Sequence, residues 1–253
     1  MQRADLPGLN VGARVAPIVR IQAVSCGLHE EVRGGMQEYL APERERVALI
    51  TIDAQRDFVL QNSPASVSGA PATVPAMRRM VEAFRALGAP IVHAVRLYRC
   101  NGSNVDLCHR AAIEAGQRIV MPGTSGAELI DEMKPSVGQR LEPELLLDGK
   151  LQEIGHKEWV CYKSRLSAFF QTPLEDHLKS LGITTIVICG TDFPTSPRST
   201  VYAASNRDFR IVLATDAISG ASDSGLDELA QIGVYLMSSE QLLHWLRRER
   251  QAA

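Results

Sequence analysis

The sequence predicts a three-layer α/β/α sandwich built on a parallel sheet of roughly six strands, and three observations carry the prediction. Short apolar runs such as 47–50 and 186–189 read as strands buried on both faces, the situation of a covered parallel sheet. Stretches with apolar residues at helical spacing separate these runs, so strand and helix alternate along the chain. The length of 253 residues and a 45% hydrophobic content suffice for the core of one such domain.

Each element has its own signal. Residues 1–45 carry scattered Gly, Pro and Arg with short apolar pieces, and read as an arm laid over the body or a neighbouring subunit. The domain proper runs from 46 to 253 and begins with the strand RVALITID (46–53). In VPAMRRMVEAFRALG (74–88), Met77, Met80, Val81, Phe84 and Leu87 share a helical face, and Gly88 closes the helix. APIVHAVRL (89–97) is the second strand, and the polar segment 98–157 has room for two short helices. EWVCYK (158–163) is a short third strand; TPLEDHLKSLG (172–182) is a helix with Pro at its second position and Gly at its end. TTIVICG (184–190) and FRIVLATDAI (209–218) are the next strands, with the helix PRSTVYAASNRD (197–208) between them. The helical stretches GLDELAQIG and SSEQLLHWLRRER flank a last short strand, GVYLM (233–237).

Bulk properties exclude several classes. A formal charge of −2 without a basic stripe argues against nucleic acid as a partner. The chain has no run of 18 apolar residues and no apolar leader near its start, so neither a membrane span nor a signal peptide is expected. Five cysteines, an odd number, fit a reducing, cytoplasmic setting better than a disulfide scaffold.

Parallel sheets bind ligands at the carboxyl ends of their strands. Asp53, Arg96, Lys163 and the 190–198 turn end the first four strands and are expected to converge. Each also has a plainer reading. Asp53 can cap the next turn, Lys163 can be a solvated surface group, and TSP (195–197) can be only a helix start. Arg96 with Asn104 offers planar donors for a carboxylate or ureido oxygen, or Arg96 pairs with an acidic neighbour. His93 sits in an apolar strand and reads as a satisfied core residue; no HxH or HxxxH pair exists, so no metal is expected.

Together, ALITIDAQRDF, YKSRLSAFF and VICGTDFPTSPRST resemble the isochorismatase-like cysteine hydrolases, in the expected order from residue 46 to about 245. The resemblance implies an isochorismatase-like sandwich of Rossmann or flavodoxin type, with no cofactor and homo-oligomeric assembly. It implies hydrolysis of a C–N bond in a small amide, ureide or related substrate. Asp53 matches the general base, and Lys163 the cation that favours the ionised nucleophile. The nucleophile position lies six residues beyond Gly190 and four before Thr200, at residue 196. Backbone amides of Asp192 and Ser196 would form the oxyanion hole, with a cis peptide at Thr191–Asp192. Phe58 and Phe169 would be pocket walls. Nicotinamidases of the family add a metal held by an Asp and histidines after the first motif, where this chain has no histidine.

Position 196 is Ser where the amide hydrolases have Cys. A thiol needs little help to ionise, whereas a hydroxyl needs strong base assistance. The adopted reading is a Cys→Ser replacement that keeps shape and removes nucleophilicity, with a natural serine in a slow or altered enzyme beside it. Isochorismatase-type vinyl-ether hydrolysis, which needs no nucleophile, and a catalytically silent binding protein of this fold are the alternatives.

Overall fold

A computed structural model describes residues 39–247. Most of the expected 1–45 arm lies outside them. Where the chain joins the body, Glu43 N–H donates to Thr185 Oγ1 at 2.8 Å and the Glu43 carboxylate pairs with Arg210 at 3.0 Å.

The sheet has seven strands in the order β3-β4-β2-β1-β5-β6-β7. They are β1 (Val47–Ile52), β2 (Ile91–Val95), β3 (Gln152–Gly155), β4 (Glu158–Tyr162), β5 (Thr185–Gly190), β6 (Arg210–Ile218) and β7 (Tyr235–Met237). All pairings are parallel except that of β3 with β4. The six parallel strands are those read from the sequence. The extra edge strand β3 carries no strand signal in the sequence, because only Ile154 among its four residues is a large apolar side chain. Its neighbour Gln152 is buried by hydrogen bonds instead, to Arg140 O and Glu142 N–H.

The central strand β1 is buried along its whole length, and its side chains alternate between two cores. Val47 and Leu49 join one cluster with Met77, Met80, Val81 and Phe84 of α2 (Ala70–Leu87) and Leu242 and Leu246 of α8 (Ser239–Arg247). Ala48, Ile50 and Ile52 join the other with α5 (Leu174–Ser180), α6 (Ser196–Ser205) and α7 (Asp223–Gln231). Two helical layers on a strand of period 2 complete the sandwich. Three short helices, α1 (Arg56–Val59), α3 (Leu107–Glu114) and α4 (Pro143–Leu147), add Phe58, Ile113 and Leu146 to the first core. Helix α2 starts one turn before the expected residue 74: Gly69 takes φ 77 as its N-cap, and Pro71 sits where a missing N–H costs nothing. Among the described residues no helix is long and apolar enough to cross a membrane.

Candidate active site

The chain reverses direction across the sheet at β1, which lies between β2 and β5. At that point the carboxyl ends of β1, β2, β4 and β5 deliver Asp53, Arg96, Lys163 and, after one turn, Ser196. Asp53 leaves β1 with φ 51, a left-handed conformation uncommon for a residue with a side chain and typical of functional turns. Two neighbours enforce the turn: Thr191 Oγ1 donates to Asp53 O at 2.9 Å, and Asp53 N–H donates to Ala94 O at 2.9 Å. Gly190 ends β5 at φ 134, and a Cβ there would lie 2.1 Å from Ile52 O. Only glycine lets β5 run this close to β1 and turn toward α6.

The four side chains make one buried cluster. Lys163 Nζ donates to Asp53 Oδ2 at 2.9 Å and to Ser196 Oγ at 3.0 Å, with Arg165 O at 3.4 Å. Arg96 Nη2 donates to Ser196 Oγ at 2.7 Å and its Nε to Asp53 Oδ2 at 3.2 Å. Ser196 and Lys163 are 0% exposed, Arg96 2% and Asp53 4%. Asp53 Oδ1 is also buried, and it has no hydrogen-bond partner. An orphaned carboxylate oxygen beside a buried hydroxyl is an acceptor in waiting for a substrate N–H or a proton.

Burial opposes ionisation of Asp53, but the Lys163 and Arg96 charges outweigh it and lower the pKa of its carboxyl. Burial pushes Lys163 down to about 7; Asp53 resists that shift and Arg96 adds to it. On the far side of Arg96, Nη1 donates to Asp106 and to Tyr98 Oη, and Tyr98 O–H donates to Asp106 Oδ2 at 2.7 Å. Burial raises the Tyr98 phenol well above its ordinary value. His109, Arg96 and Cys108 lower Asp106 against its own burial.

Asp53, Lys163, Ser196 and Arg96 thus converge as expected, while several finer expectations need correction. The Arg96 guanidinium is taken by Asp53, Asp106, Tyr98 and Ser196, the acidic-neighbour reading, and is not held out for a ligand. The Asp192 N–H donates to Ser219 Oγ at 2.9 Å, so it is spent rather than held for an oxyanion, and the Thr191–Asp192 peptide is trans. The Ser196 amide opens α6, in the turn whose N–H groups lack intrahelical acceptors. Asn104 ties its loop together, donating to Leu97 O at 2.7 Å and Tyr162 Oη at 2.8 Å and accepting from Arg99 N–H. Phe169 stacks on Phe209 at 5.7 Å in the second core, and Phe58 lies in the first, on the opposite face of the sheet.

Two residues were missed. Gln55 binds the backbone of Arg96 from both sides, Nε2 to its carbonyl and Oε1 from its N–H, each at 2.7 Å. It follows Asp53 in the first motif, the one signal that could have pointed to it. Asp106 lies in a loop with no pattern, and nothing in the sequence announces it as a partner of Arg96. Asp106 also groups with Cys108 and His109, whose ligand atoms lie within 4.8 Å of one another. That carboxylate is already saturated: one oxygen serves Arg96 and Tyr98, the other His109 and Cys108. After the first motif, the acidic Asp57 is buried and accepts from Val120 N–H at 2.6 Å.

Residues 47–241 match the isochorismatase domain. The chain belongs to that family. Among isochorismatase-family relatives it is 31% identical to a probable inactive nicotinamidase of Arabidopsis thaliana, over 72% of this chain and 85% of the relative. It is 27% identical to the ureidoacrylate amidohydrolase RutB of Methylorubrum extorquens, over 76% of this chain and 77% of the relative. An isochorismatase family protein from Desulfovibrio vulgaris superposes with a TM-score of 0.68 at 30% identity, covering 80% of this chain and 99% of that one. The α/β sandwich of that isochorismatase-family structure is the fold described above.

Proposed function

We propose that this chain hydrolyses a C–N bond in a small amide or ureide through an acyl-enzyme on Ser196, setting aside the inactivating Cys→Ser reading because Arg96 and Lys163 both reach the serine Oγ. The observation that carries this reading is the single Lys163 ammonium reaching both Asp53, at 2.9 Å, and Ser196 Oγ, at 3.0 Å, in a fully buried setting. A buried acid, a buried base and a hydroxyl in mutual contact form the activated-nucleophile arrangement. Within the family, an amidohydrolase that acts on ureidoacrylate lends the substrate class.

Ser196 Oγ attacks the carbonyl carbon as its proton passes to the Asp53–Lys163 pair. The tetrahedral oxyanion gathers near the first turn of α6, whose N–H groups and dipole suit a negative charge. The proton then goes to the leaving nitrogen, and water, giving its proton to the same pair, releases the acid. The burial of Ser196 requires the Arg96 side or the neighbouring loops to open for substrate.

The test is ammonia or amine release from a panel of small amides and ureides by the chain and by Ser196→Ala and Ser196→Cys. Release by the chain that Ser196→Ala abolishes supports the reading. Cleavage of isochorismate with no amide turned over would replace it with vinyl-ether hydrolysis. Binding without turnover in all three would replace it with a silent binding protein, as the name of the Arabidopsis relative allows.

A further inference from the structure

Two cations, not one, bridge the same pair of oxygens. Lys163 Nζ contacts Asp53 Oδ2 at 2.9 Å and Ser196 Oγ at 3.0 Å; Arg96 makes the same two contacts at 3.2 and 2.7 Å. We infer that Arg96 supplies the fixed positive charge of this site, which frees Lys163 to act as the neutral base that takes the Ser196 proton. The inference rests on the hydrolase reading and assigns roles within it.

The argument is one of chemistry and charge. A guanidinium keeps its proton at any working pH, whereas a buried ammonium yields one readily. When two cations crowd one carboxylate oxygen, the lysine is therefore the group that gives way. A general base works best when its pKa lies near the operating pH. Asp53, held low by both cations, is a weak base for a hydroxyl; a lysine that burial and Arg96 bring to about 7 is far better matched. The groups facing Lys163 are Asp53 after β1, Arg96 after β2 with Tyr98 and Asp106 behind it, Cys161 on β4 and Ser196 on α6. Burial raises the Cys161 thiol to about 12, so that group is neutral and leaves the balance to Asp53, Asp106 and Arg96.

The geometry accommodates neutral Lys163. In the neutral form it would keep N–H bonds to Asp53 Oδ2 and Arg165 O, and the 3.0 Å contact in which it donates to Ser196 Oγ would reverse, its lone pair accepting the hydroxyl proton. Arg96 Nη2–H occupies one lone pair of Oγ and leaves the other for attack. In the step, the O–H bond breaks, its proton joins the Lys163 lone pair, and Oγ forms a bond to the amide carbon while the carbonyl π pair moves onto oxygen. Collapse breaks the C–N bond, and the Lys163 proton leaves with the amine. Water attacks the ester as Lys163 takes a proton, which then returns to Oγ. Such an arrangement gives a serine what a thiol would not need.

The direct experiment is an NMR titration of the lysine side chains in the full chain from pH 5 to 10, with the Lys163 signal assigned by its loss in Lys163→Met. The expected midpoint for Lys163 is near neutrality, and Arg96→Met should raise it by about one unit or more. Below that midpoint, amide turnover should rise about tenfold per pH unit, the slope of a single proton lost. A Lys163 that stays protonated beyond pH 9, or a midpoint that Arg96→Met leaves unmoved, overturns the inference. Should Arg96→Met fail to fold, the titration and rate profile of the unaltered chain still decide. Normal titration with turnover intact sinks the inference and spares the hydrolase reading; a near-neutral midpoint without turnover sinks the hydrolase reading and the base role with it.

Discussion

Replacing Arg96 by Met removes the guanidinium while keeping much of its aliphatic volume. Arg96 is 2% exposed and holds two carboxylates. Asp53 keeps Lys163 at 2.9 Å, so its charge stays compensated. Asp106, whose side chain is 5% exposed, keeps only Tyr98, His109 and Cys108. The variant therefore strands one buried carboxylate, at a cost of roughly 3–5 kcal/mol. Urea unfolding at pH 7 measures it, with Arg78→Met as the control. The Arg78–Glu82 pair is 60% and 53% exposed, and its loss should stay within about 0.5 kcal/mol. Since Asp106 is held below its usual 3.8, its contribution is complete above that pH and lost as pH falls further. Losing Arg96 raises the Asp106 pKa, so the gap to the parent should narrow on acidification below about pH 4. Adding Asp106→Asn to the variant should recover about 1–3 kcal/mol. Equal unfolding midpoints for Arg96→Met and Arg78→Met, or no recovery in the double variant, would refute this account of the cluster.

Three further outcomes follow from other parts of the molecule. Gly190→Ala should destabilise by about 3 kcal/mol or more in the same urea assay, because its Cβ meets Ile52 O in a conformation alanine avoids; a loss under about 1 kcal/mol would mean β5 can shift freely. Glu158 is held near pKa 2 by Arg85 and His93 against its own burial, so its contribution is complete above the ordinary 4.5 and fades as pH falls toward 2. Glu158→Gln should flatten that part of the acid-unfolding curve. Iodoacetamide at pH 8 should label exposed Cys100 and spare Cys161 and Cys189, whose thiols are buried and pushed upward in pKa; mass spectrometry reading Cys161 or Cys189 adducts in native protein would count against the closed core.

What the sequence made legible were features written in local pattern. The wholly apolar runs 47–50 and 186–189 carry their own strand signal, and Gly88 and Gly182, both at positive φ, mark two helix ends. Asp53, Lys163 and Ser196 were legible because strand ends in a parallel sheet must converge and because their motifs are familiar. The rest depended on long-range contacts with no local trace. Asp106 meets Arg96 only because the loop before α3 folds back over β2, and Gln152 is buried through Arg140 and Glu142 rather than through apolar character. The Asp192 amide was assigned by resemblance, but Ser219, at the end of β6, competes for it.

Asp53 and Lys163 stand 110 positions apart in the chain, and Arg96 and Ser196 stand 100 apart. Asp53 and Lys163 meet once β2 has docked on β1 and β4 on β2, whereas Ser196 reaches them only when β5 has docked on β1. The reactive cluster is therefore complete only when β5 is in place. A chain halted before β5, such as a nascent one, holds three of the four groups on β4, β2 and β1, with the other side of β1 still unpaired. Turnover by this protein would accordingly serve as a sensor of sheet closure, rising only with the final share of molecules whose β1 is flanked on both sides.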